Sequence, residues 1–319
     1  MNRLVLRKSL LAAKPVRWFG TRLSGVSSIL ACPTRYCSTQ STKPVSAVNV
    51  EEFTLNEEVV QRDMENLSKW NTLAESLDSA KAEKDSAKLL AEVNKGLTLL
   101  EELGAINAPI QCECLLCMEA AQVHYNEGRF DEAEKAAERA KKSLLNEKEH
   151  LRDAAQIAEI DQFLGFVYCG QNRPEKAHEV FTAVLRWIDV DAKSAMPMQA
   201  VAAVNLRRVV LTGVGQSLKQ LADKKSKNGE DAKEDYGKAL DILIESLNLH
   251  IDENDFNLVK STLNNILQCF ESIGDAAQAV TTCRKYVSWC ERHNDAAGVE
   301  EGNNLLKDLC ARHKIPEEN

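Results

Sequence analysis

Phe163-Leu-Gly-Phe-Val-Tyr168-Cys-Gly-Gln-Asn-Arg-Pro-Glu-Lys-Ala177-His-Glu-Val-Phe181 is the stretch whose reading decides the fold. An apolar run with Leu164 and Gly165 side by side leads into a short polar turn. A second, amphipathic run follows, with alanine at 177 and phenylalanine four residues later. Two antiparallel helices approach closely only where a small residue on one admits a ridge of the other into its groove. Gly165 supplies that small site on the first helix and Ala177 on the second. Asn172, in the turn, tolerates the positive φ that closes such a hairpin. The stretch predicts two helices folded back on each other.

The pattern recurs upstream. Cys117-Met-Glu-Ala-Ala-Gln-Val-His-Tyr-Asn-Glu-Gly-Arg-Phe-Asp-Glu-Ala133 has its small site at Ala120-Ala121, a turn glycine at Gly128 and an alanine early in the second helix. Glycine at that turn supplies positive φ at no steric cost. Downstream, Tyr236-Gly-Lys-Ala239-Leu-Asp-Ile-Leu243 reads as another second helix. Thr262-Leu-Asn-Asn-Ile-Leu-Gln-Cys-Phe270, with Gly274 and Ala279 after it, reads as a further hairpin, and Ser86-Ala87-Lys-Leu-Leu-Ala91 as a first, weaker one.

These residues resemble the tetratricopeptide repeat, whose pattern is W-x2-L-G-x2-Y, a glycine and an aromatic at the turn, then A-x3-F. Leu164, Gly165, Tyr168, Ala177 and Phe181 match it directly, and Gly128, Phe130 and Ala133 match its turn. The family's tryptophan is absent from every unit. The alanines at 87, 133, 177, 239 and 279 are 46, 44, 62 and 40 residues apart, against a minimal family period of about 34. Lengthened helices of this kind are similar to those of the kinesin-light-chain class. The resemblance covers roughly residues 57–313 and implies an all-α fold, a right-handed α-solenoid of about five helix pairs over 51–319. The longest gap holds the polar run Asp223-Lys-Lys-Ser-Lys-Asn-Gly-Glu-Asp-Ala-Lys-Glu-Asp235, expected as an exposed loop between two helices.

Composition agrees with an all-helical chain. Hydrophobic residues make up 44% of the 319, enough for a core, while the 14 glycines, 7 prolines and 5% aromatics are too few for the many tight turns of a β-sandwich. Ala, Leu, Glu, Lys and Gln dominate the middle of the chain and lose least on entering a helix.

Residues 1–50 carry five arginines, three lysines and no acidic residue. An Arg-rich, Ser-rich, acid-free segment has the composition of a mitochondrial transit peptide, with plastid import as the minority alternative. On a helix Arg3, Arg7 and Lys14 fall within about 40° of one another, a basic stripe beside Leu4 and Leu11. Arg7, Lys8 and Lys14 interrupt the apolar run that a secretory signal requires. Arg35-Tyr36-Cys37-Ser38 looks like a matrix processing site ahead of Ser38; a basic tail with no address is the competing reading. A mitochondrial matrix location is expected, and no segment approaches the ~18 apolar residues of a membrane span.

With those eight positive charges set aside, 51–319 holds 32 basic against 48 acidic residues, a net of −16 compared with −8 for the whole chain. Such a body repels a phosphate backbone, so direct nucleic-acid binding is not expected and a basic protein partner is electrostatically easier.

The resemblance implies a groove lined by the first helix of each unit, at the second, fifth, ninth and twelfth places of the repeat. Here that selects Met118, Gln122 and Tyr125, then Gln162 and Phe166, then Asn264 and Gln268. Side-chain amides suit the task because each offers a donor and an acceptor to an extended backbone; the competing reading is a polar residue facing water. Arg207 and Arg208 are read as solvated surface, with a carboxylate partner as the alternative.

Cys290-Glu-Arg-His293 and Cys310-Ala-Arg-His313 mimic a zinc site. They sit, however, at the C-terminal ends of successive antiparallel helices, about 25 Å apart at 1.5 Å per residue. Cys112-Glu-Cys114-Leu-Leu-Cys117 has no second cluster, and buried cysteines of this kind serve as small hydrophobes. No metal and no cofactor is expected. The G-x-G-x-x-G, P-loop, G-x-S-x-G and H-E-x-x-H patterns are all missing from the sequence. The expected function is therefore a non-enzymatic interaction scaffold that assists assembly or stability of a larger complex. A permanent subunit of a respiratory or ribosomal complex is the first alternative, and a metal-binding or enzymatic helical protein the second.

Overall fold

The structure is a computed structural model that describes residues 57–104, 111–146, 154–190, 197–253 and 255–316. The expected address over 1–50 and its processing site lie outside these residues. Among the described residues there are eleven helices and no strand, as the composition requires. They are α1 (Glu57–Glu83), α2 (Ser86–Leu103), α3 (Cys112–Asn126), α4 (Phe130–Asn146), α5 (Ala154–Gly170), α6 (Pro174–Val190), α7 (Pro197–Lys227), α8 (Lys233–Asp252), α9 (Phe256–Ile273), α10 (Ala276–Arg292) and α11 (Ala296–His313).

One turn geometry recurs along the chain. A single residue takes the left-handed conformation at Lys84, Gly128, Asn172, Gly229 and Gly274. Its N–H, and that of the next residue, bond back to the end of the preceding helix. Examples are Gly128 N to Tyr125 O (3.0 Å) with Arg129 N to His124 O (2.8 Å), and Gly274 N to Glu271 O (3.1 Å) with Asp275 N to Phe270 O (2.9 Å). This arrangement satisfies carbonyls that a helix end otherwise leaves without partners. Gly128 and Asn172 thus do what their residue types led us to expect. The five turns fall at intervals of 44, 44, 57 and 45 residues, a more even spacing than that of the alanines. Asn294, in the same left-handed conformation, joins α10 to α11.

The long interval is taken up by helix. Asp223-Lys-Lys-Ser-Lys227 is the last turn of the 31-residue α7 and Lys233-Glu-Asp235 the first turn of α8, so only 228–232 connect them. The expected loop over 223–235 is corrected accordingly. Lys225 pairs with Asp235 across the hairpin (2.8 Å) and Lys219 with Asp223 one turn along α7 (2.8 Å), so opposite charges in the run neutralise each other.

Aspartates start several helices. Asp85, Asp255, Asp275 and Asp295 each accept from the backbone N–H three residues on, at 3.0–3.2 Å.

The chain divides into two compact units, and the division falls between Ile160 and Asp161, inside α5. In the first unit α1 packs on α2, α2 on α3 and α3 on α4. Trp70, Leu73, Ala74, Leu77 and Ala80 form one buried face of α1, meeting Leu89 and Val93 of α2 and Leu116 of α3. Ala133, Ala137 and Ala140 give α4 a smooth, fully buried stripe toward α3.

In the second unit α6, α7, α8, α9, α10 and α11 each pack on the next. Gly165 of α5 meets Phe181 of α6, and Gly215 of α7 meets Leu243 and the Ala239 carbonyl of α8. The anchoring alanines 177, 239 and 279 are completely buried, so each helix crossing is as close as the sequence pattern demands. The C-terminal core gathers Val259, Leu263, Leu267, Ala279, Cys283, Tyr286, Trp289 and Leu309.

Candidate interaction face

In the second unit the odd-numbered helices lie side by side. Gln220 Nε2 of α7 donates to the Cys169 carbonyl of α5 (3.2 Å), and Thr212 of α7 meets Thr262 of α9 through their hydroxyls (3.2 Å). Lys260 near the start of α9 pairs with Glu301 near the start of α11 (2.5 Å). Glu271 near the end of α9 pairs with Arg312 (2.6 Å) and His313 (3.0 Å) near the end of α11. Start meets start and end meets end, so α9 and α11 run parallel. The first unit has a similar contact between odd helices, Lys81 of α1 with Glu119 of α3 (2.6 Å).

Asn264 and Gln268 sit on α9 between the two ion pairs and are half-exposed. Neither side-chain amide is engaged by another described residue. One turn apart on one face, they present two donors and two acceptors to a strip flanked by charge pairs. An extended backbone, with its alternating C=O and N–H, is a chemical match for such a strip. Leu263, the residue before Asn264, is 2% exposed and points the other way, into the C-terminal core.

The other sequence-selected positions fare differently. Phe166 is buried with its ring edge-on to Phe181 at 4.9 Å between centroids, so it is a core residue. Gln162 is 3% exposed and its Nε2 has no partner. Met118 is buried within the first unit. Tyr125 is half-buried with its ring edge-on to Phe130 (5.5 Å), and the Gln122 amide donates to Asn126 (3.0 Å). Position in the repeat selects a face of the helix, and neighbouring helices then cover part of that face. Met118, Gln162 and Phe166 lie on the covered part.

The two arginines of α7 are partnered. Arg207 bridges Asp189 of α6 (2.6 Å) and Glu245 of α8 (3.8 Å), and Arg208 lies 3.8 Å from Glu253. The two Cys/His motifs share the C-terminal core through Cys290 and Cys310, but their histidines are engaged apart. Cys290 lies beside Gly298 at the start of α11, and His293 Nδ1 contacts the Trp289 carbonyl (2.8 Å). Cys310 belongs to the same core as Cys283, while His313 is on Glu271. Among the described residues no three of His, Cys, Asp or Glu gather as a metal would need. Burial pushes the thiols of Cys112 and Cys114 up to about 12 and that of Cys117 up to about 11, which keeps them protonated and poor ligands.

One constellation was not foreseen. Thr212 of α7, Ser246 and His250 of α8 and Thr262 of α9 meet in a buried hydroxyl–imidazole cluster. Ser246 and His250 are an i,i+4 pair and share a face in the sequence, but nothing in the sequence signals the threonines of two other helices. No described helix is long and apolar enough to cross a membrane. Comparison with known proteins yields no match, either to a family model or to a curated protein.

Proposed function

We propose that this chain is a protein-interaction scaffold of the tetratricopeptide type, a right-handed solenoid of about five helix pairs. On this reading it holds a segment of a partner protein along the face formed by the odd-numbered helices of the second unit. The observation that carries the proposal is the strip between α9 and α11. Two helices held parallel by an ion pair at each end leave the Asn264 and Gln268 amides half-exposed and uncommitted between them. A folded protein gains by satisfying polar groups internally, so amides kept available on a rigid frame suit capture of a ligand backbone. The recurrence of one turn geometry at nearly even intervals supports the repeat reading.

The acid-free N-terminal segment supports a mitochondrial matrix location, where the scaffold would assist assembly or stability of a larger complex. The excess of acidic over basic residues from 51 onward favours a basic partner segment over nucleic acid.

Proximity labelling from the C-terminally tagged chain in intact cells, followed by gradient sedimentation, tests the proposal. The expected result is a small set of matrix proteins labelled, with the chain itself sedimenting mostly free. Labelling of cytosolic proteins alone would overturn the location, and an N-terminus still at Met1 in the organelle would overturn processing ahead of Ser38. Quantitative co-sedimentation with one complex would make the chain a permanent subunit.

A further inference from the structure

The buried cluster in the second unit links three helices by hydrogen bonds, beside the apolar core of Ala222, Leu243 and Ile266. Thr212, Ser246, His250 and Thr262 are each at most 1% exposed. Thr212 Oγ1 lies 2.7 Å from Ser246 Oγ, 2.9 Å from His250 Nε2 and 3.2 Å from Thr262 Oγ1. Ser246 Oγ donates to the Arg208 carbonyl (3.1 Å) and lies 3.1 Å from the same His250 nitrogen.

Counting protons fixes the state of the ring. The Ser246 hydroxyl proton is committed to the Arg208 carbonyl, so the Ser246 oxygen accepts from Thr212. The Thr212 oxygen in turn accepts from Thr262. His250 Nε2 must then carry a hydrogen and donate to the hydroxyl oxygens, which leaves Nδ1 as the bare nitrogen. Nδ1 is buried and no group hydrogen-bonds to it. The neutral ring therefore satisfies every hydroxyl in the cluster and leaves only one lone pair unused.

A second proton would go onto Nδ1, creating a charged N–H with no acceptor in a site closed to water, which is costly. The groups that act on the ring come from each flanking element. Burial is the largest effect and disfavours the charge, as does Arg208 of α7, while Asp255 at the start of α9 favours it. Glu253, just past α8, is 3.8 Å from Arg208 and partly neutralises it. The balance depresses the His250 pKa to about 4.

We propose that this junction is a proton-operated lock, holding α8 and α9 to α7 while His250 is neutral and releasing α8 from α7 when the ring takes up a second proton. The direction follows from linkage. His250 in the opened segment regains the ordinary value of 6.5, whereas in the closed state it stays near 4. Between those values the open form binds more protons, so opening becomes easier as pH falls. Above 6.5 the lock is fully closed.

Hydrogen exchange of the full chain between pH 4.5 and 7.5, corrected for intrinsic rates, tests this. Peptides from 233–273 should show an opening constant that rises roughly tenfold per pH unit below 6.5. Peptides from 276–313, in the same unit, should change much less. In His250→Gln, whose amide still donates to the hydroxyls but does not titrate, the steep dependence of 233–273 should vanish. Equal pH dependence in both regions, or an unchanged dependence in His250→Gln, would overturn the proposal. Should that variant not fold, ring NMR of the wild-type chain decides. A His250 imidazole that stays neutral and protonated at Nε2 below pH 5 upholds the lock, and one that titrates near 6.5 sinks it.

Discussion

Phe181 of α6 occupies the space that any side chain on Gly165 of α5 would need: a Cβ at 165 would lie 2.6 Å from the ring. The ring has nowhere to go, because it is fully buried, meets Phe166 edge-on, and presses on Gly213 of α7 from another side. Gly165→Ala gains about 1 kcal/mol of helix propensity but forces a clash whose relief costs about 1–3 kcal/mol. With the ring locked, the clash wins, and a net loss of up to about 2 kcal/mol is expected from urea unfolding followed by circular dichroism. Gly237 of α8 is the control. A Cβ there meets nothing within 4 Å, so Gly237→Ala should stabilise by about 0.5–1 kcal/mol. A stabilising Gly165→Ala would mean the α5–α6 crossing is looser than described.

The aspartate caps should behave alike. Asp275 accepts from the Gln278 N–H at 3.0 Å. Asp275→Ala should cost about 1 kcal/mol, and Asp275→Asn, which keeps the acceptor, only a few tenths. Thermal melts of the pair check this; equal losses would show that charge matters more than the cap bond.

Asn264 and Leu263 are neighbours with opposite roles. Leu263→Ala removes a buried side chain from the C-terminal core and should cost about 2–5 kcal/mol of stability. Asn264→Ala should barely move the melting temperature and weaken partner binding by about 1 kcal/mol, the net worth of one hydrogen bond. Titrating each purified variant with a partner peptide found by labelling separates the two effects. Equal loss of stability in both, with binding intact in Asn264→Ala, would remove the strip from consideration.

The eight cysteines of the described residues are all buried and free. Burial raises the thiols of Cys112, Cys114, Cys169 and Cys269 to about 12, and those of Cys117 and Cys283 to about 11. At pH 8 the thiolate fraction is negligible, so iodoacetamide should leave these six unlabelled in the native chain and label them after unfolding in urea. Mass spectrometry reads this directly. Rapid native labelling of any one would mark it as exposed.

What the sequence determined by itself is local. A residue type that tolerates positive φ stands at each predicted turn, and Gly128, Asn172 and Gly274 adopt it. An alanine marks four of the crossings, where Ala133, Ala177, Ala239 and Ala279 are completely buried, but Ala87 is exposed and Gly96 makes the close approach on α2 instead. Both follow from backbone sterics and helix period, which act within a few residues. Tertiary structure decided the rest. Helix period put Phe166 and Asn264 on comparable faces, yet α6 covers one with Phe181 while α9 and α11 leave the other half-exposed. The polar run 223–235 read as loop because its residues like water, but paired charges across a hairpin let most of it stay helical. The cluster around His250 was invisible because its four members come from three helices, and only packing brings positions as distant as Thr212 and Thr262 within hydrogen-bond reach.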